Sequence, residues 1–317
     1  VTDANLIAGR INPEYFLGGE IKADLKQARE AMGVIASSFG ISVDDAALGV
    51  IRLANANMIN ALKLISVRRG YDPRDFTMVA FGGGGSMHAM ALAKELQIKK
   101  VLIPVATAVF SAWGMLMTDL RHDLIQTNIR RTDEVSIEEL DGIWADMEKQ
   151  AVEYFKREKM DADAMVFNRY VDMRYLGQEH TVKVPVPAGR MDTSVIREVE
   201  QRFHSLHEHN YTFRLDDSMI EFVNFHLTTF GTVKKPEFGR LENRNTDPSI
   251  AVKGYRDVNF DQEGWQRSTI YERGLLGAGA VFTGPAIIEE PASSTVIFPG
   301  QTVTVDDYGN LIIETGV

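Results

Sequence analysis

Four consecutive glycines, Gly82, Gly83, Gly84 and Gly85, are followed by Ser86 and, two residues further on, by His88. Glycine lacks a Cβ and tolerates φ > 0, so such a run lets a polar ligand reach main-chain N–H groups directly. A tight turn asks for two or three such positions, and the fourth points to ligand approach. The apolar run 78–81 before it has the length and composition of a buried strand. Met87, Met90, Ala91 and Leu92 after it fit the buried face of a helix that starts near Ser86, a residue suited to the N-cap. The positive end of that helix would face the ligand. The pattern is neither G-x-x-x-x-G-K-[ST] nor G-x-G-x-x-G in its usual setting: no lysine follows the last glycine, and no acidic ribose partner is evident. A P-loop and a dinucleotide site are therefore disfavoured.

Other residues offer chemistry with less context. His88 has two readings, a neutral imidazole that donates to the ligand or a capping and packing residue. Arg121-His122-Asp123 groups acid and base, although a lone tripeptide of this kind is usually a structural ion pair at a helix end. His204, His207 and His209 share one helix, but their spacing is not that of H-E-x-x-H, so a solvated helix face is expected and no metal site. Gln178-Glu179-His180 follows Gly177 and either reaches a cleft or forms an exposed turn. Asn55, Asn57 and Asn60 lie inside a long helix, where asparagine is a poor former. They are solvated, or one of them faces the glycine turn, and Asn57 is taken as the candidate.

The elements that would position these residues follow from periodicity. Residues 1–20 read as a short helix and an ordered loop. Residues 42–69 form a long helical pattern, with Asp45 three after Ser42 as a capping signal, Arg68 and Arg69 in the last turn and Gly70 to end it. Residues 100–105 read as a buried strand, so strand, helix and strand predict a right-handed crossover and a parallel pair. Residues 107–120, apolar and small, predict a helix packed under the sheet. Near residue 131 the character changes. Helices over 136–159 and 193–209, a hairpin of strands 166–175 and 181–186, and a strand over 220–230 predict a separate α+β module. Residues 234–250 are polar with two prolines and read as a linker. Six short strands beyond 255, separated by turn signals, predict a small barrel or sandwich. The expected domains are 1–131, 132–233 and 251–317, joined across 234–250.

Composition sets outer bounds. A chain of 317 residues holds two or three domains. A net charge of −10 argues against nucleic acid or an anionic membrane surface as the main partner. The absence of cysteine excludes disulfides, thiolate nucleophiles and Cys-ligated metals, and fits a cytoplasmic protein. No apolar run approaches the ~18 residues of a membrane span, and no signal-peptide pattern is present. The chain opens Val1-Thr2-Asp3, as a processed or truncated product would.

Several blocks together resemble a known family. They are Val1-Thr2-Asp3-Ala4-Asn5-Leu6, then Phe81-Gly82-Gly83-Gly84-Gly85 with His88-Ala89, then Phe110-Ser111-Ala112-Trp113-Gly114 leading to Arg121-His122-Asp123. Arg174-Tyr175 with Gly177-Gln178, and Gly284-Pro285-Ala286-Ile287-Ile288-Glu289 with Gly309-Asn310-Leu311, complete the series. In this order, across essentially the whole chain, they resemble the hydantoinase/oxoprolinase A-type family. The resemblance implies an α/β fold plus α+β and small β modules: the second half of an actin-like (ribonuclease-H-like) ATPase fold, followed by C-terminal mixed and β-rich domains. It implies ATP and Mg2+ as cofactors, a small cyclic amide or ketone as substrate, and a B-type partner subunit within a homo-oligomer.

The leading activity so implied is ATP-dependent hydrolysis of a cyclic amide such as N-methylhydantoin or 5-oxoproline. Phosphorylating the amide or carbonyl oxygen would create a leaving group or trap an enol. The alternatives are a subunit of an ATP-dependent ketone carboxylase, of acetone or acetophenone type, and a non-catalytic cleft and interaction fragment. The glycine block is similar to the adenosine-contacting motif of that fold, which makes Gly82, Gly83, Gly84, Gly85, Ser86 and Asn57 the cofactor-binding candidates. Asp3, His88, His122 and Asp123 are the catalytic candidates, Asp3 either coordinating magnesium indirectly, positioning substrate or merely capping a helix. Two departures stand out. No Asp-x-Gly-Gly-Thr occurs, so the resemblance implies a C-terminal fragment that lacks the phosphate side and most of the magnesium side and is inactive alone. Ser86-Met87 also stands where family members often carry a Gly-Pro or Pro-Leu type pair, which bears on loop geometry.

Overall fold

The computed structural model describes residues 1–160, 164–237 and 239–317. The chain divides into two compact units, Val1–Leu116 with Glu237–Val317, and Met117–Pro236.

In the first unit, helices α1 (Thr2–Ile7), α2 (Leu25–Phe39) and α3 (Val43–Ile65) precede the glycine turn. The expected cap of α3 is formed, Ser42 Oγ accepting from the Asp45 amide at 3.0 Å. Strand β1 (Met78–Val79), helix α4 (Gly85–Glu95) and strand β2 (Lys100–Ile103) make the expected parallel crossover, with Met78 opposite Val101. Seven strands of the C-terminal stretch complete the unit: β7 (Val252–Asn259), β8 (Trp265–Glu272), β9 (Val281–Thr283), β10 (Ala286–Glu290), β11 (Ser293–Ile297), β12 (Thr302–Val305) and β13 (Leu311–Glu314). They do not close into a barrel or sandwich of their own. β13 pairs antiparallel with β2, Leu311 opposite Ile103, so that one sheet runs β1-β2-β13-β12-β9. The other runs β11-β10-β8-β7. One hydrophobic core joins both sheets to the helices, from Leu6 and Ile51 through Met90 and Val101 to Ile287 and Ile313. The C-terminal strands therefore share the core of the first hundred residues, and a separate 251–317 domain is not what this unit shows.

The docking of α1 explains part of the first sequence block. A Cβ at Gly9 would come 2.3 Å from the Asp257 carbonyl oxygen, so only glycine lets the chain pass β7 there. Arg10, 2% exposed, donates from Nε and Nη2 to the Asn259 carbonyl at 3.1 and 3.0 Å. Burial lowers its pKa to about 10.

The expected helix over 107–120 is shorter and exposed. A 3-10 turn, Thr107–Val109, leads into α5 (Phe110–Leu116), which buries no residue. The chain then enters strand β3 (Leu120–Arg131), which belongs to the second unit, so the unit boundary falls before residue 120 and not at 131. There β3, α6 (Ile137–Arg157), β4 (Met165–Tyr175), β5 (Val182–Val186), α7 (Thr193–Tyr211) and β6 (Ile220–Gly231) follow in order. The sheet order β3-β6-β4-β5, antiparallel between every pair of neighbours, interleaves two split βαβ units. Trp144, Met147, Phe155 and Phe203 pack from the helices onto Val171, Met173, Phe222 and Leu227. Of the expected linker 234–250, residue 238 lies outside the described residues, as do 161–163 of the expected second domain. Among the described residues no single helix is long and apolar enough to cross a membrane.

Candidate functional site

The four glycines do different work. Gly82 has φ +89°, a conformation few other residues adopt, and its amide donates to the Thr107 carbonyl at 2.8 Å. A Cβ at Gly83 would sit 3.3 Å from the Ala292 carbonyl oxygen, a close approach to the loop between β10 and β11. Gly84 is the N-cap of α4, brings no side-chain cap to its first turn, and has open space where a Cβ would stand. Neither turn geometry nor packing demands glycine at that position. What remains is a bare helix N-terminus with room in front of it.

A cavity of about 300 Å3 adjoins this turn. Gly83, Gly84 and Met87 line it together with Asn12, Tyr15 and Phe16 and with residues 289–294. Beneath it lies a buried ionic cluster. Glu289, 1% exposed, is held by Lys253 and Arg256, each at 3.0 Å. Lys253 also pairs with Glu272 at 3.0 Å and lies 3.3 Å from the centre of the Tyr15 ring.

The predicted residues fall in several places. Ser86 is not the N-cap: helix α4 starts at Gly85, and the fully buried Ser86 hydroxyl meets Ser293 Oγ at 2.9 Å and donates to the Ser294 carbonyl at 3.0 Å. It ties α4 to β11. His88 is 7% exposed and its Nδ1 lies 2.7 Å from Asn55 Oδ1, so the imidazole joins α4 to α3. Burial lowers its pKa, and Arg10 adds to the effect. Asn55 is thus the asparagine turned toward α4, while Asn57 is exposed. Asp3 is exposed in the first turn of α1, whose N-cap is Val1.

His122 and Asp123 lie in the second unit, on a strand and not at a helix end. Successive strand residues face opposite sides of a sheet, so the two are not a dyad. His122 stacks on Tyr154, ring centroids 3.8 Å apart. Asp123 accepts from Thr228 Oγ1 at 2.6 Å, and that bond, ahead of Arg121, holds its carboxyl below the usual range. His204 and His207, expected on a solvated face, are 7% and 2% exposed. Tyr175 Oη lies 2.7 Å from His204 Nδ1, and His207 Nδ1 lies 2.8 Å from the Phe213 carbonyl. His204 ties α7 to the end of β4, and His207 ties it to the segment that follows the helix.

Comparison with known proteins bears on the whole chain. The family model for hydantoinase/oxoprolinase matches residues 1–124, and that for the hydantoinase/oxoprolinase C-terminal domain matches residues 127–314. The chain belongs to the hydantoinase/oxoprolinase family. Among its relatives, an uncharacterized protein of Methanocaldococcus jannaschii is 38% identical over 99% of this chain and 44% of its own length. The caprolactamase subunit alpha of Pseudomonas jessenii is 31% identical over 96% of this chain and 45% of its own. The nucleotide-free structure of acetone carboxylase, an enzyme of ATP-dependent acetone carboxylation, superimposes with a TM-score of 0.87 at 25% identity, over 98% of this chain and 46% of that one. This hydantoinase/oxoprolinase chain therefore spans less than half the length of the relatives it matches.

Proposed function

We propose that this chain supplies the adenosine side of an actin-like nucleotide cleft in an ATP-dependent enzyme that opens a cyclic amide. The observation that carries the reading is Gly84: a glycine that neither φ nor packing requires, at the uncapped start of α4, beside a cavity. ATP, when bound, supplies the phosphoryl group that turns an amide oxygen into a better leaving group. The Gly82–Gly85 turn would receive the nucleotide by backbone approach, and the positive end of α4 favours its negative charge. His88 and Ser86 act behind this surface, locking α4 against α3 and β11. Among the described residues no three His, Cys, Asp or Glu side chains gather to hold a metal ion. In this reading Mg2+ is held by the remainder of a longer protein, and a partner subunit completes the enzyme, as the subunit name of the caprolactamase relative suggests.

The 31% identity to that relative favours amide hydrolysis. The close superposition on acetone carboxylase supports a second reading, a subunit of a ketone carboxylase using the same nucleotide cleft. The experiment that tests the nucleotide assignment is calorimetric titration with Mg·ATP of the wild type and Gly84→Val. With φ −107° and no atom within 4 Å of the added Cβ, the variant should keep its fold and its circular dichroism. It should lose ATP affinity at least about tenfold, one lost hydrogen bond's worth or more. Equal affinities would make the loop a turn and nothing else.

A further inference from the structure

A second cavity, of about 370 Å3, is set between α3, the C-terminal end of α4 and the turn that joins β7 to β8. It shares no lining residue with the cavity at the glycine turn. Its size falls within the ~300–1,000 Å3 range of small-molecule sites. Arg10 lines it, although only 2% of that residue is exposed. Its Nε and Nη2 donate to the Asn259 carbonyl, and Nη1 has no hydrogen-bond partner among the described residues. Nη1 is nevertheless not sealed off, as the partnerless Arg256 Nη2 and Arg273 Nη1 are. The space it opens on is the cavity that Arg10 lines.

This guanidinium also lacks a counter-ion in contact. With a pKa of about 10 it is charged at neutral pH. Asp261 and Glu263 act on it only from a distance, because each is engaged elsewhere. Asp261 accepts from Arg52 Nε through both oxygens, at 3.0 and 2.9 Å, and Glu263 pairs with Lys94 at 2.5 Å. Glu95, the remaining carboxylate of the lining, is exposed to water. A buried cation without a contacting anion is costly, and a carboxylate that reaches it forms a charge-assisted hydrogen bond. The rest of the lining includes an apolar surface. Ile51, Ile59, Phe260 and Phe298 supply it, the two rings packed edge to face with centroids 5.3 Å apart. The Arg10 guanidinium lies 6.0 Å from the centre of the Phe298 ring, so charge and apolar surface adjoin.

We propose that this cavity binds a small carboxylate with a compact apolar body, the carboxylate on Arg10 Nη1 and the body against Phe260 and Phe298. The assignment goes beyond the nucleotide reading and does not depend on it. A neutral ligand of the same shape would leave the guanidinium without its anion. A carboxylate with no body would leave the apolar surface wet.

The test is calorimetry and methyl-detected NMR on the 317-residue chain at pH 7, with benzoate, benzamide and acetate as probes. Benzoate should bind saturably, shift the methyl signals of Ile51 and Ile59, and leave Met87 of the glycine cavity unmoved. Benzamide should bind about tenfold more weakly or worse, a charge-assisted hydrogen bond being worth at least that factor. Acetate should lose about as much, because it buries no ring. Arg10→Met removes the charge and should lose benzoate at least about tenfold. Ala56→Trp separates binding from folding. It stands at an exposed position of α3 that lines the cavity, and it leaves Arg10 and its bonds to Asn259 in place. It should keep the circular dichroism of the wild type and lose benzoate by occupying the space. No saturable benzoate binding, equal binding of benzamide, shifts at Met87 in place of Ile51 and Ile59, or wild-type affinity in Ala56→Trp would each overturn the assignment.

Discussion

With its Nδ1 2.7 Å from Asn55 Oδ1 and only 7% of its surface exposed, His88 spends its hydrogen-bonding capacity inside the protein. Taking Asn55 Oδ1 as the acceptor, Nδ1 carries the proton. Its folded pKa lies below the ordinary value, chiefly through burial. The unfolded chain therefore takes up a proton first on acidification. The contribution of His88 to stability is full above the unfolded value of ~6.5 and is lost as pH falls through the folded value. Urea unfolding at pH 7 and pH 5 should show a larger loss for the wild type than for His88→Gln. Asn55→Ala should cost about 1–3 kcal/mol by leaving a buried donor unpaired. An unchanged midpoint in Asn55→Ala would mean that the contact contributes nothing. The glycine turn was legible because its composition is extreme. Asn55, not Asn57, faces α4 because of helix phase: at 3.6 residues per turn the two point about 200° apart, and Asn55 is the one in step with Ile51, Ile59 and Leu62, which pack on the core. Glu289, Glu290, Lys253 and Arg256 lie more than 160 residues along the chain from the turn, roughly the reach that no local pattern covers.

Strand β3 shows why elements differ in legibility. Its helix-facing positions include His122, Gln126 and Asn128, while the opposite face includes Ile125 and Ile129. Both faces mix polar and apolar residues, so period two leaves no clear imprint, and the preceding apolar stretch reads as one helix running to residue 120. By contrast the long helix ending near Gly70 and the crossover 78–103 carry strong periodicity and strong punctuation, and both are formed. Pairing of β13 with β2 joins residues about 210 apart, which no turn signal announces. The boundary itself is testable. Residues 132–134 are held to the sheet, the Thr132 amide donating to the Ile220 carbonyl at 3.0 Å. Residues 232–240 lack helix or strand where described, and Lys234 and Arg240 are exposed. Limited trypsin digestion should cut first after Lys234 or Arg240, with bonds after Arg130 and Arg131 protected. First cuts at Arg130 or Arg131 would restore the break near 131.

At the scale of the molecule, the first unit draws its core from residues 1–116 and 237–317 alike, so β2 depends on β13 for a neighbour and the Glu289 cluster depends on Tyr15 for its cover. The unit has one hydrophobic core of its own. Turnover asks for more. Phosphoryl transfer is catalysed mainly by positioning and by stabilising charge, with metal ions bridging the phosphates, and it fails when the groups on one side are missing. Among the described residues no metal-holding cluster is present, and the sequence has no Asp-x-Gly-Gly-Thr. The relatives in which this stretch occurs are more than twice as long. If, as proposed, the rest of a longer protein supplies the phosphate and magnesium contacts, the 317-residue chain should bind Mg·ATP weakly at most, because fewer contacts would offset the entropy of association. In a steady-state assay with magnesium it should release no phosphate above background, with or without ε-caprolactam or acetone. Substrate-stimulated ATP hydrolysis by the purified chain would mean that a complete phosphate site lies within these residues, and the cavity lined by Asn12, Gly84 and Glu290 would then be the first place to look for it.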